Sequence, residues 1–405
     1  MPDPAGPLAG LKVLDLSIIV AGGTASSLLA DFGAEVIKVE RPVSGDPLRN
    51  WGPFVNGVSL WWKVHSRNKR SVTLNLGDPD GQALLRELAQ HADLLIEGFR
   101  PGAMERWNLG PEDLHAVNPK LVMVRFSGFG QTGPYRERPG FGTIAECMSG
   151  YIAMTGFPDS PPNLPPVPLA DEIAGLFGAM SGMMALYHRD AGGTGGGQGQ
   201  GQVIDVSLFE PLFRLCIPHI TMYQQLGISR ERVGNDFPDA APRSLYQSGD
   251  GAWMGLSATS QNTFENLAQA MGLPELLQDP RFKDNASRLE NTADLNQTLQ
   301  GWLGQRSSQE IMDQLVPAGG VVGPVYDAAR IMDDPHYRER DDILEIDDPE
   351  LGPTKMLGVV PKFSQTPGAV RHAGPALGQH NAEVYGGWLG LDEEKLGELE
   401  AKGII

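Results

Sequence analysis

Cysteine is nearly absent: Cys147 and Cys216 are the only two in 405 residues. Two thiols so far apart support neither a disulfide framework nor a metal site. Positive charge is also scarce. Lysine and arginine number 32 against 50 acidic residues, a formal net charge of −18. That balance argues against bulk binding of nucleic acid or of an anionic membrane. Any anionic ligand must therefore meet a local basic patch. No apolar run reaches the ~18 residues of a membrane span, and the longest, 175–186, falls short. The segment Met1-Pro2-Asp3-Pro4-Ala5-Gly6-Pro7 has no basic n-region and no apolar h-region, so no signal peptide is expected. A cytoplasmic location follows as the expectation. What is plentiful is turn residues, 51 glycines and 32 prolines, though still below the share that marks disorder. The length suits two to three domains at ~150 residues each.

The first 130 residues alternate two periods. Continuous apolar runs at 12–16, 35–39, 71–74, 93–96 and 121–126 read as buried strands. Helical patterns at 24–32, 80–90 and 111–117 separate them. Strand–helix alternation with short connections predicts an α/β domain, a Rossmann-like parallel sheet with helices on both faces. A Pro-rich stretch at 160–168 precedes a long helix over 171–187, rich in glycine and alanine. A Gly/Gln run at 192–202 reads as a flexible hairpin-like loop before a strand at 203–207. Beyond residue 225 the turn Gly249-Asp250-Gly251, an apolar run at 252–258 and helices at 263–271, 293–303 and 308–315 predict a smaller α+β domain. A last helix is expected over 393–402. The expected division is a large domain over 1–205, a small domain over 225–330 and a C-terminal segment over 340–405.

Candidate sites each have a plainer reading. Val20-Ala21-Gly22-Gly23-Thr24 superficially resembles a dinucleotide turn, but that fingerprint needs G-x-G-x-x-G, and here the glycines are adjacent with no third. A simple strand-to-helix turn and a ligand-facing turn both remain open. Lys63, Arg67, Lys69 and Arg70 read either as a solvated turn or as a phosphate patch. Arg41, Arg100 and Arg106 fall near expected strand C-termini, where open α/β sheets bind ligands. Asp171 opens the long helix and suits an N-cap. The same helix dipole would keep its carboxylate ionised and available as a nucleophile. Glu172 is its nearest rival. The eight histidines are scattered and read as structural.

Several segments together resemble the family III CoA-transferases, a group that includes formyl-CoA and carnitine CoA-transferases and the α-methylacyl-CoA racemases. They are Pro7-Leu8-Ala9-Gly10-Leu11-Lys12-Val13-Leu14-Asp15, the run from Ala30-Asp31-Phe32-Gly33-Ala34 to Glu40-Arg41-Pro42, Asn68-Lys69-Arg70-Ser71, Glu97-Gly98-Phe99-Arg100-Pro101-Gly102, Ser127-Gly128-Phe129-Gly130 and Phe363-Ser364-Gln365-Thr366-Pro367. The resemblance implies a nucleophilic Asp171. It places CoA contacts at Val20, Ala21, Arg41, Leu74, Asn75, Gly98, Phe99, Arg100 and Arg106. It also implies an interlocked dimer of ring-shaped chains, with the small domain as a lid over the site.

The stretch Gly140-Phe141-Gly142 departs from the formyl-CoA transferases, which carry a Glu there, and from the racemases, which carry a His. Together with Gly156-Phe157-Pro158 it looks most like members that move CoA from succinyl-CoA to dicarboxylates such as malate, mesaconate, citramalate or benzylsuccinate. Phe141, Gly142 and, by its guanidinium fork, Arg243 are the expected acceptor-side residues, with Arg232 as an alternative to Arg243. The implied substrates are an acyl-CoA and a small carboxylic acid, with no metal and no permanently bound cofactor. A homodimer is the implied assembly, with a paralogous second subunit as the other option. A racemase or isomerase on the same scaffold, or a subunit of a heteromeric transferase, is the alternative function.

Overall fold

Six parallel strands form the centre of the protein, in the order Lys69–Thr73, Glu35–Glu40, Lys12–Leu16, Leu94–Glu97, Val122–Ser127, Val203–Ser207. The structure is a computed structural model and describes residues 6–191 and 199–405. Alternation along each strand explains why the sheet is covered on both sides. Leu14, Ile37, Leu95 and Met123 face one core together with Leu85, Leu88, Val384 and Tyr385. Their neighbours Val13, Val36, Leu94, Val122 and Val124 face the other, with Ala25, Ala170 and Ala174. The strand order reverses between Lys12–Leu16 and Leu94–Glu97. A crevice opens at that point beyond the carboxyl ends of the strands, which is where doubly wound sheets bind ligands.

Local chemistry sets the connecting helices. Pro79–Gln90 starts on Asp78, whose carboxylate accepts the Asp80 N–H at 2.9 Å, with proline in its first turn. Leu169–Asp190 is long and apolar enough to pass for a membrane span by length and composition. Its glycines explain why it is a core helix instead. A Cβ at Gly175 would meet Thr24 and the Ala21 carbonyl at 2.6 Å, and one at Gly178 would meet the Phe126 ring at 2.2 Å.

The chain divides into two units. The first holds 1–151, 165–218 and 335–405, and the second holds 152–164 and 219–334. Residues 152–164, read from the sequence as part of the large domain, therefore go with the second unit. The Pro-rich stretch is split between the two at Pro165 rather than forming one linker. The last segment is bound into the first unit. Trp62 Nε1 donates to the Pro375 carbonyl at 2.8 Å, Tyr385 donates to the Thr73 carbonyl at 2.8 Å, and the Asn75 N–H meets the Ile404 carbonyl. The C-terminus thereby holds the end of the Lys69–Thr73 strand in place. In the second unit Arg243–Gln247, Trp253–Ser257 and Val322–Pro324 form an antiparallel sheet over a core of Phe264, Leu267, Leu295, Leu299 and Ile311. The expected Gly/Gln loop lies, at residues 192–198, outside the described residues.

Two sequence readings are corrected. Gly22 and Gly23 are not turn residues; both are buried in the first turn of the helix Ala21–Asp31. They are small because Ser17 Cβ and the His65 ring would each lie 2.3 Å from a Cβ added there. The basic cluster is neither a solvated turn nor a phosphate patch. Lys63 is buried against Asp348 at 2.8 Å, Arg67 pairs with Asp31 at 2.6 Å, Lys69 with Asp15 at 3.2 Å and Arg70 with Glu35 at 3.0 Å. Carboxylates from the strands Lys12–Leu16 and Glu35–Glu40, from the end of the helix Ala21–Asp31 and from the C-terminal segment pair with all four charges.

Candidate active site

A cavity of about 420 Å³ lies beyond the carboxyl ends of the first four strands of the sheet. Leu16, Ser17, Ile18, Arg41, Leu74, Asn75 and Phe99 are among its walls. Of the residues singled out for CoA, the structure thus brings Arg41, Leu74, Asn75 and Phe99 to one cavity. Val20 and Ala21 are buried at the start of the helix Ala21–Asp31 and do not line it. Gly98 is half-buried, and Arg100 and Arg106 are exposed on the adjoining segment without lining the cavity. Arg41 is exposed, the state a phosphate ligand requires.

The cavity floor is built from buried charge. Lys38 lies 3.0 Å from Asp46 and 3.5 Å from Asp15, and donates to the Ser17 carbonyl. Burial alone would raise the Asp15 carboxyl, but Lys38, Lys69 and the Ser17 and Ser26 hydroxyls outweigh it and hold it well below the usual carboxylate range. Asp46 in turn accepts the Ile19 N–H at 3.2 Å. Ile19 stands at φ 64, a conformation a β-branched residue adopts only under constraint. The network thus fixes the turn 17–20 between strand and helix.

Asp171 sits at the start of Leu169–Asp190, but not as its cap. Pro168 occupies the cap position, and Asp171 is the third helical residue. Nor does the dipole keep it strongly acidic. Its carboxyl is pushed up from 3.8 to about 6, first by burial and then by Glu146 and Glu172; only its own backbone N–H opposes this. The helix-start amides are engaged. The Leu169 N–H meets the Val167 carbonyl, the Ala170 N–H meets Glu146 Oε1 at 3.3 Å, and the Glu172 N–H meets the Pro168 carbonyl.

Gly142 lies directly against the Asp171 carboxylate. A Cβ built there would lie 1.9 Å from Asp171 Oδ2. Phe141 precedes it, 69% exposed. The Glu172 carboxylate accepts a hydrogen bond from Thr24 Oγ1 at 2.9 Å, and Thr24 Oγ1 also meets His65 Nε2 at 3.0 Å. Burial first, then Lys69, presses His65 down to about 3, so its imidazole is neutral. Glu146, Thr24 and His65 were not singled out in the sequence. Glu146 alone carried a signal, a lone carboxyl in the otherwise uncharged 142–149.

Arg243, expected on the acceptor side, opens the strand Arg243–Gln247 and lines a cleft of about 700 Å³ in the second unit with Ser244, Ser257 and Asn235. Its guanidinium lies 4.9 Å from the Phe237 ring. Arg232 is spent on the carbonyls of Phe157 and Ser160. No group of three or more metal-ligating side chains occurs among the described residues.

Known proteins place this geometry. The chain is 45% identical over 403 residues to a succinyl-CoA–D-citramalate CoA-transferase of Chloroflexus aurantiacus, covering 99% of each. It is 39% identical to the beta subunit of that organism's succinyl-CoA–L-malate CoA-transferase, covering 98% of each. Among solved structures, a CAIB/BAIF family protein from Brucella suis superposes with a TM-score of 0.82 at 32% identity, over 95% of this chain and all of that one. The model of CoA-transferase family III matches residues 8–381, and the chain is a CoA-transferase belonging to that family.

Proposed function

We propose that this enzyme moves CoA from succinyl-CoA to a small dicarboxylate, citramalate or malate, by way of covalent intermediates on Asp171. The observation that carries the reading is the Asp171 carboxylate at the start of the Leu169–Asp190 helix, half-buried and facing the space that glycine at 142 leaves open. The donor and acceptor classes are supported by the names of the relatives at 45% and 39% identity.

The chemistry balances without a metal. Asp171 Oδ attacks the thioester carbonyl, the C–S bond breaks, and CoA leaves as its thiolate, giving a mixed anhydride. The thiolate then attacks the aspartyl carbonyl and expels the donor acid as a carboxylate. The acceptor carboxylate reopens the aspartyl thioester, and the steps run in reverse. Every step exchanges one anion for another, so no net proton transfer is required. A carboxyl titrating at about 6 is ionised at neutral pH yet more basic than an ordinary aspartate.

Arg41 meets the CoA phosphates, with Arg100 and Arg106 alongside, and Leu74, Asn75 and Phe99 wall the nucleotide. Val20, Ala21 and Gly98 contribute backbone. Phe141 and Gly142 border the reacting carbons, and Arg243 reads the second carboxylate of the acceptor. No cofactor is held between turnovers. The assembly is an interlocked dimer, of two copies or with a paralogous subunit. Leu176, Met180, Met184 and Tyr187 support it, an exposed apolar row at helical spacing on Leu169–Asp190.

The test incubates the pure chain with succinyl-CoA and a panel of acids, reads acyl-CoA products by mass, and traps the adduct with hydroxylamine. Citramalate or malate should outcompete butyrate, and the label should fall on Asp171 and vanish in Asp171→Ala. An active Asp171→Ala protein refutes the nucleophile, and a preference for butyrate refutes the substrate class.

A further inference from the structure

Two adjacent carboxyl groups stand at the start of the Leu169–Asp190 helix, and only one is tied down. Glu172 Oε2 receives the Thr24 hydroxyl at 2.9 Å, and the same Thr24 oxygen lies 3.0 Å from His65 Nε2. The chain of three is built into the packing. Thr24 is buried in the helix Ala21–Asp31, against which Gly175 packs so closely that a Cβ added there would lie 2.6 Å from Thr24 Cβ. His65 fits only because residue 23 is glycine, since a Cβ there would lie 2.3 Å from the ring. Neither Thr24 nor His65 takes part in the steps of the transfer reaction, and CoA binding does not account for this arrangement.

We propose that Thr24, backed by His65, is a positioning residue for CoA transfer: it holds the Glu172 carboxylate beside Asp171, and that fixed negative charge sets the pH range over which Asp171 attacks. This rests on Asp171 being the nucleophile. The direction of the hydrogen bonds follows from the partners. His65 is neutral, so with Nε2–H it donates to the Thr24 oxygen, leaving the Thr24 O–H to donate to Glu172. Burial raises the Glu172 carboxyl above the ordinary carboxylate value, and the Thr24 donor works against that rise by favouring the ionised form. An ionised Glu172 then keeps a proton on Asp171 to higher pH.

The charged groups that bear on the pair are few. Glu146, from the helix Gly142–Met148, acts on Asp171 alongside Glu172, and burial adds to both. Behind Thr24, burial first and then Lys69, Lys38 and Arg67 hold the His65 ring neutral, against the opposing pull of Asp15. The chain therefore ends in a fixed dipole and does not itself titrate at working pH.

The test is the pH profile of kcat/KM for succinyl-CoA, with citramalate as acceptor, in the parent, Thr24→Val, Thr24→Ser and Glu172→Gln. Thr24→Val keeps the volume and removes the donor, so Glu172 stays protonated to higher pH and stops raising Asp171. The acid limb should move down by about half to one pH unit in Thr24→Val and in Glu172→Gln, the size of a lost neighbouring-charge effect. Thr24→Ser should restore the parental limb, and KM for succinyl-CoA should stay within about twofold, because the substrate contacts remain. Should Thr24→Val fail to fold, the half-buried Glu172→Gln substitution carries the test. With the trapped adduct on Asp171, an unmoved limb beside a lower kcat overturns this proposal alone. An adduct on Glu172, with Glu172→Gln inactive, overturns the nucleophile reading and this proposal together.

Discussion

Replacing Gly142 by alanine adds one carbon at the most crowded point of the site. That carbon would stand 1.9 Å from Asp171 Oδ2 and 3.0 Å from its Cγ. A nonbonded carbon and oxygen need roughly 3.3 Å, so the carboxylate or the Gly142–Met148 helix must give by more than about 1 Å. The carboxylate is the softer partner: leaving its rotamer well costs about 0.5–1.5 kcal/mol. Misplacing a reacting atom by ~1 Å costs on the order of a hundredfold in rate. The helix itself gains from the change, because alanine is favoured over glycine by about 1 kcal/mol inside a helix and residue 142 is not in the left-handed region. Gly142→Ala should therefore melt at or above the parental temperature and keep its KM for succinyl-CoA. Its kcat, and the single-turnover rate of adduct formation on Asp171, should fall by roughly a hundredfold. A Gly142→Ala enzyme with parental kcat would refute the claim that this glycine exists to aim the carboxylate.

Other substitutions separate the cavity from the frame around it. Asp171→Asn should stabilise the fold at pH 8 but not at pH 4. A carboxyl raised from 3.8 to about 6 carries a penalty that is absent below its unfolded value, grows as pH rises through the window, and is complete above about 6. The penalty is roughly 1–3 kcal/mol, reduced by partial exposure, so melting curves at the two pH values should diverge. Arg41→Ala should raise KM for succinyl-CoA about tenfold, the loss of one phosphate contact, and should matter less with 3′-dephospho-CoA thioesters. Lys63→Met should leave that KM unchanged. It should cost about 3 kcal/mol or more in denaturant titrations, because Asp348 is left buried without its partner at 2.8 Å.

The frame of both units was legible where one physical signal dominates. The strands Lys12–Leu16 and Val203–Ser207 and the helices Pro111–Val117 and Ser308–Leu315 fall on the residues their patterns indicate. Continuous apolar runs between turn residues leave little choice of structure. Short elements without periodicity were missed, among them the helices Leu60–His65 and Gly142–Met148. The helix Leu60–His65 depends on Ser59, whose hydroxyl accepts the Trp62 N–H, and on Trp62 itself, anchored by the C-terminal segment more than 300 residues away. The basic cluster at 63–70 was misread for the same reason. Its partners Asp31, Asp15 and Asp348 are distant in the chain, and a run of charges shows nothing of what lies opposite it.

The site divides along the same line. Asp171 was legible as a residue because it opens a helix in a recognisable motif, whereas its chemical state was not. From the chain alone the only nearby field is the helix dipole, which favours ionisation. In the folded protein burial and Glu146, 25 positions earlier, act the other way and prevail. Glu146 reaches Asp171 because its helix packs on the start of Leu169–Asp190, and there its carboxylate takes the Ala170 N–H that the dipole argument had left free. The group that caps the helix is thus also one that makes the Asp171 carboxyl more basic. Substituting Glu146 would disturb both, so the pH profile of that variant alone could not apportion the effect. Glu172 has no capping duty: its carboxylate contact is Thr24, on another helix. That separation is why the tuning of Asp171 can be measured through Thr24 and Glu172 without unsettling the helix that carries it.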